Sequence, residues 1–188
     1  MQKPQGYDEA QAFTGENTAL PAGGYICKIV QANETLSNSG KNMLVLLLDI
    51  AEGEYKDYFK TQFDRVVKNN PDAKWGGTYR QPTEGKSVNF FKGLVTSIEV
   101  SNNFVWPWGS KELNLKGKLL GGIFGREQYQ HMSGDLRFFT RCQAVRSVST
   151  IREGNFQVPE DKLLTGVSAA PSSTGSFVEI DDDGDLPF

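Results

Sequence analysis

Lysine and arginine alternate with flat aromatic rings in three stretches of this 188-residue chain, and that pairing suits unpaired nucleic acid. Phosphates need cations, and exposed bases need rings to stack on. Lys56, Tyr58 and Lys60 share one side of a stretch with period two. Phe124 and Arg126 share a side with Lys118, and Arg137, Phe139 and Arg141 repeat the arrangement. A stacked base is worth about 1–3 kcal/mol by alanine substitution, and every base has a π-face, so such platforms bind without regard to sequence. Each stretch alone also fits an ordinary half-exposed strand, with arginine stems lying over phenylalanine as packing. Trp75 and Tyr79, close to Lys74 and Arg80, add two candidate contacts. Trp106 and Trp108, on either side of Pro107, read equally as a lid on the core or as a clamp on a ligand.

Catalysis lacks its parts. His131 is the only histidine and lies in a turn. No glycine-rich loop ends in Gly-Lys-Ser or Gly-Lys-Thr to cradle phosphates. Gly121-Gly122-Ile123-Phe124-Gly125 sits inside a strand pattern, where glycine marks a bulge, a bend or the close approach of another backbone. Asp57 and Asp64 are the acids nearest to a metal pair, and their spacing does not demand one. Cys27 and Cys142 are far apart in sequence and, with a single histidine, make neither a disulfide framework nor a zinc site. The expectation is a binding protein with no cofactor and no metal, in a reducing cytoplasm.

These residues need a scaffold. Tyr25–Val30 is β-branched and apolar, Leu36–Asn42 is turn chemistry, and Met43–Ile50 is a second strand. Tyr55–Phe63 alternates, with Tyr55, Asp57, Phe59, Thr61 and Phe63 on one face and Lys56, Tyr58, Lys60 and Gln62 on the other, so it reads as a third strand. Residues 68–84 read as a long loop with a short strand near Tyr79. Val88, Phe91, Leu94, Val95 and Ile98 follow a helical period within Lys86–Val100. Lys118–Tyr129 and Leu136–Val148 are two further strands around a turn at Ser133-Gly134-Asp135. The expected fold class is mainly β: a five-stranded oligonucleotide-binding (Greek-key) barrel with one helix and a disordered acidic C-terminal tail. An α+β sheet with one covering helix is the alternative.

Charge is segregated. Residues 23–152 hold 18 Lys and Arg against 12 Asp and Glu, a net +6, whereas residues 178–188 carry five acids and no base. A basic body on an acidic tether fits a polyanion binder whose tail competes for the same surface. The longest apolar run, Met43–Leu48, is too short to span a bilayer, and the polar start reads as lacking a signal peptide. The expected layout is a flexible arm over 1–20, the barrel over 21–152, a flexible linker over 153–177 and an acidic tip over 178–188. In that tip Asp181, Asp182, Asp183 and Asp185 lead into Leu186, Pro187 and Phe188. Pro187 limits the freedom lost on docking, and the terminal ring and carboxylate suit an apolar pocket rimmed by cations.

That ending resembles the C-terminal tip of bacterial and phage single-stranded DNA-binding proteins. Residues 21–30, with Gly23-Gly24-Tyr25, then 37–45, with Ser39-Gly40-Lys41, then 49–55, with Gly53-Glu54-Tyr55, resemble the start of phage replication-module proteins regarded as single-stranded DNA-binding proteins or their relatives. The span that holds these stretches, residues 21–55, covers about a fifth of the chain. Gly184 and an extra aspartate interrupt the acid run, and Leu186 stands where isoleucine is common in such tips. The resemblance implies an oligonucleotide-binding barrel, non-specific binding that protects displaced single strands, and self-association. It also implies recruitment of replication, recombination or repair enzymes through Asp181, Asp182, Asp183, Asp185, Leu186, Pro187 and Phe188. The alternative function is an interaction module that captures such a host protein through the tail without binding DNA.

Overall fold

A computed structural model describes residues 19–109 and 113–164. Five strands form one antiparallel sheet: β1 (Gly23–Leu36), β2 (Asn42–Ile50), β3 (Thr78–Pro82), β4 (Leu119–Gln130) and β5 (Leu136–Arg146). Their order across the sheet is β3-β2-β1-β4-β5. The end strands β3 and β5 approach each other, so the sheet curls towards closure. The fold is mainly β and barrel-like, as the sequence suggests. Cys27, Ile29, Leu44, Leu46, Leu48, Leu120 and Phe124 fill the inside. On β2 the alternation is clean: Leu44, Leu46 and Leu48 are buried, while Met43, Val45 and Leu47 are half-buried on the other face.

The expected single helix is joined by two others. Tyr58–Val67 is a helix, α1, and not the third strand. The period-two reading missed a stronger pattern, because Tyr58, Phe59, Gln62, Phe63 and Val67 are the less exposed residues and are spaced for one helical face. The buried Asp49 carboxylate sets the start of this helix. Its Oδ1 accepts the backbone N–H groups of Phe59 (3.0 Å) and Lys60 (3.4 Å), as well as that of Ile50 (3.0 Å). These donors have no partner inside a first helical turn, so a fixed carboxylate favours helix over strand. The role of third strand falls to β3, at the short strand expected near Tyr79.

The helix expected over Lys86–Val100 is α2, Val88–Asn102, preceded by a single 3-10 turn at Gly85–Ser87. Leu94, Val95 and Ile98 seat it on the core. The Asn102 side chain pairs with both backbone groups of Leu119, at 2.7 Å each, and so fixes the helix to the start of β4. A short helix, α3 (Val148–Arg152), follows β5 directly, capped by Ser147.

Two expected boundaries move. Leu20, placed in the flexible arm, is 2% exposed. Its N–H donates to the Tyr58 hydroxyl (3.0 Å), and its carbonyl accepts from Thr140. Residues 153–164, assigned to the linker, lie on the sheet. Ile151 crosses Gly121 and Phe156 crosses Gly24, where any Cβ would fall within about 2.4 Å of the crossing side chain. Glycine at these two positions lets the chain after β5 lie flat against β1 and β4. The rest of the linker and the acidic tip fall outside the described residues. Among the described residues no helix is long and apolar enough to cross a membrane.

Candidate nucleic-acid interface

The three cation–ring stretches do not come together in one groove. Lys56 precedes α1 and is exposed. Lys60 lies on the exposed side of α1 and pairs with Asp64, one helical turn on. Tyr58 turns inward: its hydroxyl holds Leu20, and its ring meets Tyr55 and Phe59 edge to face. Burial raises its pKa. Phe124 is fully buried, stacked on Phe59 at 5.8 Å and edge-on to Tyr25 at 5.6 Å. It is a core residue and not a base platform. Lys118 sits over the Phe104 ring (4.5 Å), at the far end of β4 from Arg126. Eight residues of strand separate them, about 26 Å at 3.3 Å per residue.

Trp75 and Tyr79 are also structural. The indole Nε1–H of Trp75 donates to the Leu48 carbonyl (2.7 Å), and its ring leans on Phe63. Tyr79 lies half-buried against the core on β3, and its hydroxyl donates to Gln81 Oε1 (3.0 Å). Burial pushes the Tyr79 phenol well above its ordinary range. Trp106 is buried and Trp108 is 69% exposed, so one is core and the other surface. Both rings join Phe91 in a small cluster at α2.

Arg137, Phe139 and Arg141 do share one face of the β4–β5 ribbon, and Arg126 lies on its other face. β1 pairs with β4 only as far as Gly23 opposite Phe124, and beyond that β4 and β5 run on as a two-stranded ribbon. A register shift between Ile123 and Phe124 marks the start of that ribbon, so the glycine-rich stretch does mark a bulge. One face of the ribbon presents Glu127, Tyr129, Arg137, Phe139 and Arg141. Phe139 meets Tyr129 edge to face at 5.8 Å. The opposite face presents Arg126 and Phe138, with the guanidinium 5.1 Å above the ring. Phe138 and Phe139 are 36% and 41% exposed, and Met132 at the turn is 95% exposed.

Reading every other residue of β5 selected Phe139 and missed Phe138. The adjacent ring pair was the available signal, because consecutive residues of a strand face opposite sides and a strand outside the barrel exposes both. Each guanidinium of the ribbon has a carboxylate neighbour. Arg126 forms a two-pronged pair with Asp161, Arg141 lies 3.8 Å from Glu127, and Arg137 lies 3.7 Å from Asp135. These half-exposed pairs hold the cations in place at little energetic gain, and a phosphate offers two oxygens to the same guanidinium fork.

The two cysteines stay in the interior. Burial raises the Cys27 thiol and lifts Cys142 to about 12, so both remain protonated free thiols. Among the described residues no three His, Cys, Asp or Glu side chains gather to hold a metal ion. No curated protein matches the chain. A family described as "Protein of unknown function (DUF669)" matches residues 5–92, which take in β1, β2, α1, β3 and the start of α2 and leave the β4–β5 ribbon outside the match.

Proposed function

We propose that the protein binds single-stranded DNA without sequence preference, coating and protecting it during replication, recombination or repair. In this reading it is a binding protein and not an enzyme. It works in the cytoplasm, that of a bacterial host if phage-encoded, and recruits partner enzymes through Asp181–Phe188. The observation that carries the reading is the ribbon, with two exposed phenylalanines among three guanidiniums on strands that have left the core. Rings of this kind offer stacking, and the guanidiniums offer phosphate contacts. The strand order supports it as well, since a five-stranded Greek-key barrel with a helix after its third strand is a frequent scaffold for oligonucleotides.

Anisotropy of a labelled oligo-dT, measured against duplex DNA, tests the proposal. Binding to oligo-dT is expected to fall linearly on a log–log plot against salt. Phe138→Ala and Phe139→Ala should each weaken it by about 1–3 kcal/mol. Absence of oligo-dT binding at low salt, or equal binding to duplex, would overturn the reading.

The alternative, an interaction module that captures a host protein through the tail and does not touch DNA, has a second apolar surface in its favour. Phe90, Val105 and Trp108 are 63%, 82% and 69% exposed around the cluster at α2. Capture of a replication or recombination enzyme by a protein that fails to bind oligo-dT would favour that reading.

A further inference from the structure

Beyond Phe124 the edge of β4 has lost β1 as a partner, and a later segment of the chain takes its place. The Lys162 N–H donates to the Arg126 carbonyl (2.9 Å), and the Gln128 N–H donates to the Lys162 carbonyl (2.8 Å), in a parallel bridge. Side chains reinforce it. Asp161 accepts from Arg126 at two atoms, Lys162 Nζ reaches Glu127 (3.1 Å), and the Leu164 N–H donates to the Gln128 side chain (3.2 Å). The segment gains little from apolar burial, because Val158 and Leu163 are 49% and 64% exposed. Pro159 and Leu164 are half-buried, and Phe156 is seated over Gly24.

We propose that residues 160–164 are a detachable strap that competes with DNA for Arg126, with the Asp161 carboxylate in the place of a phosphate. The inference rests on the single-stranded DNA reading and names the regulation of that same site. A guanidinium recognises carboxylate and phosphate with the same two-pronged geometry, so only one of them can occupy Arg126. Arg126 also stands over Phe138. Replacing Asp161 by a phosphate places the DNA backbone beside a ring on which a base can stack. Contacts that are polar and exposed, with little apolar burial behind them, are those that local opening breaks first. Phe156 remains as the hinge about which the strap swings away.

The full-length protein tests this with a fluorescein-labelled dT oligonucleotide at low salt. Asp161→Asn should bind roughly two- to fivefold tighter than the wild type, as expected when an exposed competing ion pair is removed. Glu160→Gln removes the same unit of charge from the neighbouring residue and should leave affinity closer to that of the wild type. The advantage of Asp161→Asn should shrink as salt rises. In the wild type, hydrogen exchange at the Lys162 and Gln128 amides should speed up when the oligonucleotide saturates the protein. Wild-type binding with Asp161→Asn no tighter than Glu160→Gln, or with those amides unchanged or slowed, overturns the strap and leaves the DNA reading standing. Failure of every variant and of the wild type to bind the oligonucleotide overturns the DNA reading itself, and the strap with it.

Discussion

Tyr58-Phe59 and Phe138-Phe139 are both adjacent ring pairs beside cations, and they finish in opposite surroundings. Phe59 is buried against Phe124, and Tyr58 is tied to Leu20. Phe138 and Phe139 stand out on a ribbon. The difference lies in what each element sits on. Asp49 draws the chain after β2 into a helix packed against β2, so both rings of the first pair have a core to enter. β5 begins before the barrel does, and its first residues have no core beneath them. Ring–cation alternation therefore reports half-exposure and nothing more, and the position of the element relative to the core decides the role of the ring.

The largest expected effect sits at the buried end. Phe124→Ala removes the ring on which Phe59 and Tyr25 pack, and should cost about 3–5 kcal/mol in urea unfolding. Phe138→Ala should change stability by less than about 0.5 kcal/mol while it weakens oligo-dT binding. Similar losses of stability in the two variants would erase the distinction between the regions. Next in size is Asp49→Ala. It leaves the Phe59 N–H and its neighbours without their acceptor, and should cost about 2–3 kcal/mol with loss of helical signal at α1.

The smallest effect concerns pH and the two aspartates around Lys28. The hydrogen bond and charge of Lys28 lower the pKa of Asp57, so its contribution is present above the unfolded carboxylate value and is lost as pH falls through the folded one. Burial raises the pKa of Asp49, which reverses the sign: its contribution is present at low pH and is lost as pH rises through its folded value. Asp57→Asn should therefore lower the urea midpoint at pH 7, and the gap from the wild type should close at acid pH. A gap that stays constant with pH would mean that the Lys28–Asp57 pair is not the source.

Strands were open to sequence reading. β2 is legible as a strand because its apolar run is strand-length. That run suggests burial on both faces at its centre, whereas only Leu44, Leu46 and Leu48 of it face the interior and Met43, Val45 and Leu47 are half-buried. The tight turn before Met43 and the helical spacing from Phe91 to Ile98 were equally plain. What could not be read was governed by distant partners. α1 depends on a carboxylate about ten residues upstream, and the short strand expected near Tyr79 takes the third place in the sheet only because it pairs with the edge of β2. At the candidate interface, Arg137, Phe139 and Arg141 were readable because one strand carries them. The demotion of Phe124, Trp75 and Tyr79 to the core rests on contacts that sequence spacing does not encode. The Asp161–Arg126 pair spans 35 residues and gives no local signal.

The two protonated, enclosed sulfurs have a practical corollary. Neither offers a nucleophile to a maleimide dye, and the chain has no third cysteine. A Met132→Cys substitution at the outermost point of the ribbon would thus accept a single fluorophore with both native cysteines left in place. The tryptophans, all placed elsewhere in the chain, would stay free to report unfolding on a separate optical channel.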